Sequence, residues 1–75
     1  MSKIAIQEIK DHGVYRGWYE VFGDFSEGFK NELKSMIPRD HWEWDGHNKR
    51  WLISEAWAWQ ARQIARKYFT TVEED

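Results

Sequence analysis

Residues 41–53 read HWEWDGHNKRWLI, and this stretch decides the fold. Two short aromatic-rich runs flank a polar loop, which is the pattern of a β-hairpin. Trp42 and Trp44 lie two residues apart, so their side chains lie on the same face of a strand. Trp51 and Ile53 have the same spacing on the return strand. We expect this face to belong to the core, with Trp44 and Trp51 buried in it.

The composition narrows the class of protein. The 75 residues form one domain, and the absence of cysteine excludes disulfides and thiolate chemistry. Aromatic residues make up 17% of the chain and can supply the large apolar side chains that so small a core needs. No apolar run approaches the roughly 18 residues of a membrane span, and no apolar signal segment begins the chain. These features predict a soluble, cytoplasmic protein that does not bind membranes.

The charge is distributed unevenly. The net charge is −2, but residues 30–67 sum to +3 and residues 68–75 to −3. An acidic total argues against a strongly basic nucleic-acid binder. Two interpretations of the middle segment stay open: a basic face, or an ordinary mixed surface followed by an acidic tail.

Two strands and a helix are predicted before the hairpin. Residues 3–9 place Ile4 and Ile6 on one side of a strand, and Ile9 breaks this alternation, so the strand bulges or ends there. Residues 14–22 are rich in β-branched and aromatic residues, and one face of this strand belongs to the core. A helix then begins near residue 26, with Asp24 and Ser26 as competing caps. Because Pro38 disfavours helix at the residue before it, the helix ends there.

A second helix follows the hairpin, from Glu55 to about Phe69, with Ser54 as its cap. Its buried face is predicted to hold Trp57, Ala61, Ile64, Ala65 and Tyr68. The element order is therefore ββαββα, an α+β fold with a mostly antiparallel sheet and two helices packed on one face. Residues 1–70 form the domain, and residues 71–75 are expected to be an acidic disordered tail.

Catalytic and metal-binding patterns are absent from the sequence. It contains no nucleophile motif and no phosphate-binding loop. His12, His41 and His47 are too few and too loosely spaced for a zinc site, although the last two could meet Asp45 across the hairpin. So small a domain rarely encloses a cleft of about 300 Å³ or more. We expect a non-enzymatic protein without cofactor or metal.

Trp59 stands apart from the other tryptophans. It lies on the side of the second helix that carries Arg62 and Arg66, away from the buried face. An exposed aromatic side chain among arginines is typical of a surface that contacts nucleic acid or protein. Two alternatives stay open: Trp59 folds back over the N-terminal strands or the tail, or it is hidden in a homodimer.

A series of short motifs extends over residues 25–69. Residues 25–38 fit FSxxFxxxLKxxIP and are followed by Trp44-Asp45, by Lys49-x-Trp51 and by a closing helix. Together these motifs resemble the HARP domain of annealing helicases, and similar small modules occur in phage and bacterial DNA-processing proteins. The positions that match the family pattern are Lys34, Trp44, Asp45, Lys49 and Trp51. Gly46 stands where the family often has proline, and the spacing from Leu33-Lys34 to Ile37-Pro38 is one residue longer than the commonest form.

The resemblance implies a module that binds DNA and assists a helicase. We therefore predict a small accessory module, monomeric or homodimeric, that binds nucleic acid or a protein of a nucleic-acid-processing complex. The alternative is a phage- or plasmid-type adaptor or inhibitor that binds a protein through a Trp/Arg surface. The predicted nucleic-acid contacts are Lys34, Arg39, Trp42, Lys49, Arg50, Trp59, Arg62 and Arg66.

Overall fold

The structure, a computed structural model, describes residues 2–11 and 13–74. It confirms the predicted α+β fold, with two α-helices and a five-stranded sheet. The elements are β1 (Lys3–Glu8), β2 (Tyr19–Gly23), α1 (Glu27–Met36), β3 (Trp42–Asp45), β4 (Arg50–Ile53), α2 (Ala58–Tyr68) and β5 (Thr71–Glu74). The strand order is β3-β4-β2-β1-β5, in which β1 and β5 pair in parallel and the other neighbours are antiparallel.

One row of paired residues crosses the sheet on the face that the helices cover. The register aligns Ile6 with Val21, Val21 with Trp51, and Trp51 with Trp44. Ile6 and Val21 are fully buried, Trp51 is half-buried against the core, and Trp44 is 46% exposed. The expectation that Trp44 lies in the core is therefore wrong. Because β3 is an edge strand, Trp44 has a neighbouring strand on one side only.

Ser26 is the cap of α1. Its Oγ accepts a hydrogen bond of 3.2 Å from the backbone N–H of Phe29. The competing candidate, Asp24, instead accepts a 2.9 Å bond from the backbone N–H of Lys3 and thereby ties the start of α1 to β1. The helix ends before Pro38, as predicted.

The start of α2 differs from the prediction. Ser54 makes no side-chain capping bond, because its Oγ lies 2.8 Å from Nδ1 of His41. The chain first forms a 3₁₀ turn over Glu55–Trp57, and α2 begins at Ala58. The predicted buried face is confirmed for the residues in the middle of the helix, which are Ala61, Ile64 and Ala65. Trp57 is half-buried, and Tyr68 is 37% exposed.

The second strand is shorter than predicted. Residues 14–17 form a turn, in which Gly17 has a φ of 89° and donates a 3.0 Å hydrogen bond to the carbonyl of Ile9. The strand begins only at Tyr19, which packs against the core together with the fully buried Val21.

The C-terminal segment is a strand and not the disordered tail expected over residues 71–75. Thr71–Glu74 pairs with the outer edge of β1, and Asp75 lies outside the described residues. Hydrogen bonds between Ser2 and Thr70 lead into this pairing. The acidic side chains have cationic partners, as in the 3.3 Å ion pair between Lys3 and Glu73. Backbone pairing and ion pairs thus order a segment that composition alone describes as solvated.

The helices within the described residues contain 10 and 11 residues, and neither is long and apolar enough to cross a membrane. They pack on each other through Phe29 and Phe69, whose ring centroids are 5.3 Å apart, and through Tyr68, which donates a 2.7 Å hydrogen bond to Glu32. The Tyr68 ring lies so close to Gly28 that a β-carbon at residue 28 would overlap it. Gly28 therefore permits the close approach of the two helices.

We expect Gly28→Ala to destabilise the protein, because the new methyl group displaces the Tyr68 ring. In the Tyr68→Ala background the same change should stabilise it by up to about 1 kcal/mol, the ordinary advantage of alanine over glycine in a helix. Urea unfolding of the four chains of this double-mutant cycle measures both effects. An equal gain in stability in both backgrounds would contradict the packing described.

Candidate ligand-binding groove

An open groove lies between α1 and the β3–β4 edge of the sheet, with a volume of about 540 Å³. Its aromatic side chains come from three separate elements of the chain and the loop before α1, and lysines stand on its rim. We call it the aromatic groove; its main lining residues are Phe25, Phe29, Trp44 and Trp51, with Lys30, Lys34 and Lys49. The sequence-based expectation concerned an enclosed cleft, whereas this groove is open, because α1 leaves the outer end of the sheet uncovered.

Exposed aromatic rings form much of this groove. The Trp44 ring lies 4.8 Å from the Trp51 ring, at an interplanar angle of 54°. It extends over the turn, where a β-carbon at Gly46 would stand 3.4 Å from the indole Nε1. Phe25, just before the cap of α1, is 76% exposed. Exposed apolar side chains gathered in one patch are common at interaction sites, which makes this groove the candidate site.

The lysines of the groove differ in how far they are neutralised. Lys30 makes a 2.8 Å ion pair with Glu27. Lys34 has its Nζ 5.8 Å from the centroid of the Trp51 ring, a favourable cation–π distance. Within the described part of the chain, neither Lys34 nor Lys49 has a carboxylate partner within salt-bridge distance. The groove therefore carries positive charge that the protein itself does not neutralise.

Lys49 has a strained backbone. It ends the four-residue turn between β3 and β4 with a φ of 56°, in the left-handed region. This conformation costs an ordinary L-residue roughly 1–2 kcal/mol, whereas glycine adopts it freely. Strain of this kind is often found at binding sites. The turn thus has a lysine at a position where glycine would have the lower conformational energy.

A polar network behind the groove holds this turn. Arg50 lies on the opposite face of the sheet from Trp51, where its Nε is 2.9 Å from Asp45 and its guanidinium is 3.0 Å from Glu20. The backbone and side chain of Asn48 also donate hydrogen bonds to Asp45. Hydrogen bonds from Asn48 and then Arg50 lower the pKa of Asp45 from its usual 3.8 to about 2. Bonds from Arg50 to Asp45 and Glu20 raise the pKa of the guanidinium.

Arg39 and Trp42 lie at the inner end of the groove beside Lys34. The Arg39 guanidinium stacks 4.3 Å from the centroid of the Trp42 ring and also forms a 3.1 Å ion pair with Glu43. Lys34 lies 5.5 Å from the same ring. The Trp42 ring is thus already contacted by two cations of the protein itself, which leaves the Trp44 ring as the more accessible face for stacking.

Trp59, Arg62 and Arg66 lie elsewhere, on the part of α2 beside β5. Trp59 is 63% exposed, so it does not fold back over the N-terminal strands or the C-terminal segment. Both arginines are ion-paired with Glu74, each at 2.7 Å. Since β5 and β3 are opposite edges of the sheet, this surface is separate from the aromatic groove.

The structure therefore divides the predicted nucleic-acid contacts. It places Lys34 and Lys49 in one groove with Arg39 and Trp42 adjacent, and it places Arg50, Trp59, Arg62 and Arg66 outside it. The predicted contacts did not include the lining residues Phe25, Lys30 and Trp44. Phe25 carried a usable signal, because it precedes the cap and falls outside the apolar face of α1.

The described residues contain no cluster of side chains that could form a metal site. Across 2–11 and 13–74, no three histidine, aspartate or glutamate side chains are grouped so that they could hold an ion. His41 is engaged with Ser54, and His47 is exposed in the turn. His12 lies outside the described residues.

Comparison with protein-family models, curated proteins and solved structures finds no match for this chain. The HARP-like resemblance stays a prediction. Of the positions that carry it, Lys34, Trp44, Lys49 and Trp51 line the aromatic groove, and Asp45 holds the adjoining turn.

The lowered pKa of Asp45 predicts an acid dependence of stability. Its contribution is fully present above the usual pKa of 3.8 and is lost as the pH falls through the folded value of about 2. Asp45→Asn should therefore reduce stability at neutral pH and flatten the decline between those two values. Lys30 and Lys67 lower the pKa of Glu27 and Glu32, so part of the decline remains.

Urea unfolding at a series of pH values, followed by tryptophan fluorescence, measures this effect. Asp40→Asn is the matched control, because Asp40 is exposed in the 3₁₀ turn before β3. Parallel pH profiles for the wild type and Asp45→Asn would contradict the role assigned to the network.

Proposed function

We propose that this protein is a small, non-enzymatic accessory module that binds nucleic acid through the aromatic groove. The observation that carries the proposal is the combination of exposed aromatic rings with two lysines that have no carboxylate partner among the described residues. Lysine neutralises phosphate, and aromatic rings stack on bases. The groove offers both within one concave surface.

The distribution of ion pairs supports this location. Seven cationic side chains of the described residues are engaged with carboxylates: Lys3, Lys30, Arg39, Arg50, Arg62, Arg66 and Lys67. Three lysines of the same residues have no such partner: Lys10, Lys34 and Lys49. Two of these three line the groove. Among the described residues, two of the three lysines without a carboxylate partner therefore lie at a site where aromatic rings are also exposed.

Binding should depend on salt. A single strand releases counterions with a slope of about 0.7 per phosphate contact, so raising salt from about 50 to 200 mM should weaken binding about 7-fold for two contacts and about 18-fold for three. Fluorescence anisotropy of a short labelled oligonucleotide measures this. Lys34→Ala should lower the affinity and the slope, whereas Lys10→Ala, which removes the same charge outside the groove, should change neither.

The Lys49→Gly variant distinguishes an effect on oligonucleotide binding from an effect on stability. Glycine relieves the left-handed strain, so the free energy of unfolding should stay equal or rise by up to about 1 kcal/mol. Oligonucleotide affinity should nevertheless fall, because a phosphate contact is lost. Salt-independent binding, or full affinity in both Lys34→Ala and Lys49→Gly, would refute the proposed function.

The exposed Trp59 favours a second candidate, a protein-binding adaptor that uses α2. Glu74 is ion-paired with both neighbouring arginines, and Trp59 on the same helix is 63% exposed. Trp is enriched among residues that dominate protein interfaces. In this case Trp59→Ala should abolish a protein complex that survives nuclease treatment, and Trp44→Ala should not. Gel filtration of each variant with the isolated partner shows whether the complex still forms. Loss of the complex with Trp44→Ala alone would reject α2 as the interface.

A further inference from the structure

We infer that the aromatic groove accepts an unpaired nucleobase, so that the ligand is single-stranded nucleic acid bound without preference for base sequence. This inference rests on the proposed function and specifies its ligand. Three features of the groove support it: accessible ring faces, few polar side chains, and two lysines that have no carboxylate partner among the described residues.

The ring faces indicate stacking. Trp44 is 46% exposed and Phe25 is 76% exposed, and both line the groove. Every base has a π-face that can stack on such rings, whatever its identity. In a duplex those faces are covered by neighbouring bases, and exposing one requires unstacking and unpairing. A single strand can present a base to Trp44 without that cost.

The groove has few polar side chains. Apart from its lysines and the indole N–H groups of Trp44 and Trp51, its lining side chains that can hydrogen-bond are those of Asp24 and Ser26. The Ser26 hydroxyl accepts from the backbone of Phe29, and the Asp24 carboxylate accepts from the backbone of Lys3. Sequence is recognised by hydrogen bonds to base edges, and the groove offers few groups that could make them. Stacking on apolar walls is therefore expected to tolerate any base.

The charges around the groove argue against a duplex. Double-stranded DNA carries phosphates on both strands and needs a broad cationic surface. Here Arg50 behind the hairpin is engaged by Glu20 and Asp45, and the α2 arginines are engaged by Glu74. The net charge of the chain is −2. Lys34 and Lys49 both line the groove and can contact the backbone of one strand, whereas these other cations are already engaged with carboxylates.

Three ligands test the inference on the intact protein: a short single-stranded oligonucleotide of mixed sequence, the same strand with a central abasic tract, and the blunt duplex. The abasic strand keeps its phosphates and loses its bases. Removing a stacked base should weaken binding about 5- to 140-fold. The duplex should bind more weakly than the single strand, and permuted single strands should bind alike.

Variants of exposed tryptophans identify the stacking residue. Trp44→Leu should bind the normal strand about as weakly as the abasic strand, because both then lack the stacked pair. Trp44→Phe keeps a ring and should restore most of the difference. Trp59→Leu makes the matched change on the separate α2 surface and should retain the wild-type difference. Thermal melting of each variant confirms that it folds.

The outcomes separate the inference from the proposed function. If the duplex binds as tightly as the single strand, or if the abasic strand binds as tightly as the normal one, while Lys34→Ala still weakens binding, the inference is overturned and the proposed function stands. If Trp59→Leu and not Trp44→Leu removes the difference, the stacking site is not the groove. If no oligonucleotide binds at low salt, both fail.

Discussion

The contact between Trp44 and Trp51, whose ring centroids lie 4.8 Å apart, joins the core to the candidate site. The Trp51 ring packs against the buried residues of the sheet and at the same time supports the Trp44 ring at the outer edge. Burial of Ile6 and Val21 in the same row therefore positions a ring that remains accessible to ligand. In so small a domain, one register determines both stability and the shape of the groove.

The hairpin turn uses its two faces for different purposes. On one face, Arg50 and Asn48 hold Asp45 and determine the path of the turn. On the other, Lys49 lies at the rim of the groove with a left-handed backbone. The polar network fixes the conformation of the turn, and Lys49 adds a positive charge to the groove. This division explains why Arg50, though next to Lys49 in sequence, does not contribute to the same surface.

Local patterns predicted the hairpin, the end of α1 at Pro38 and the buried face of α2, because each depends on neighbouring residues. Contacts between distant residues account for what was missed. Asp24 bonds to Lys3 and leaves the cap to Ser26, and β5 depends on Ser2 and on the arginines of α2. The groove was missed for the same reason, since α1, β2 and the hairpin must be assembled before Phe25 and Trp44 face one cavity.

The most direct measurement is a set of nitrogen–proton NMR spectra of the wild-type protein as a short single-stranded oligonucleotide is added. The six tryptophans each carry an indole N–H, so stacking can be assigned to a particular ring. We expect binding in the aromatic groove, with shifts for the Trp44 indole and for the backbone amides of Phe25 and Lys49, while the Trp59 indole is unchanged. Shifts confined to Trp59 and its α2 neighbours, or no shifts at low salt, would contradict it.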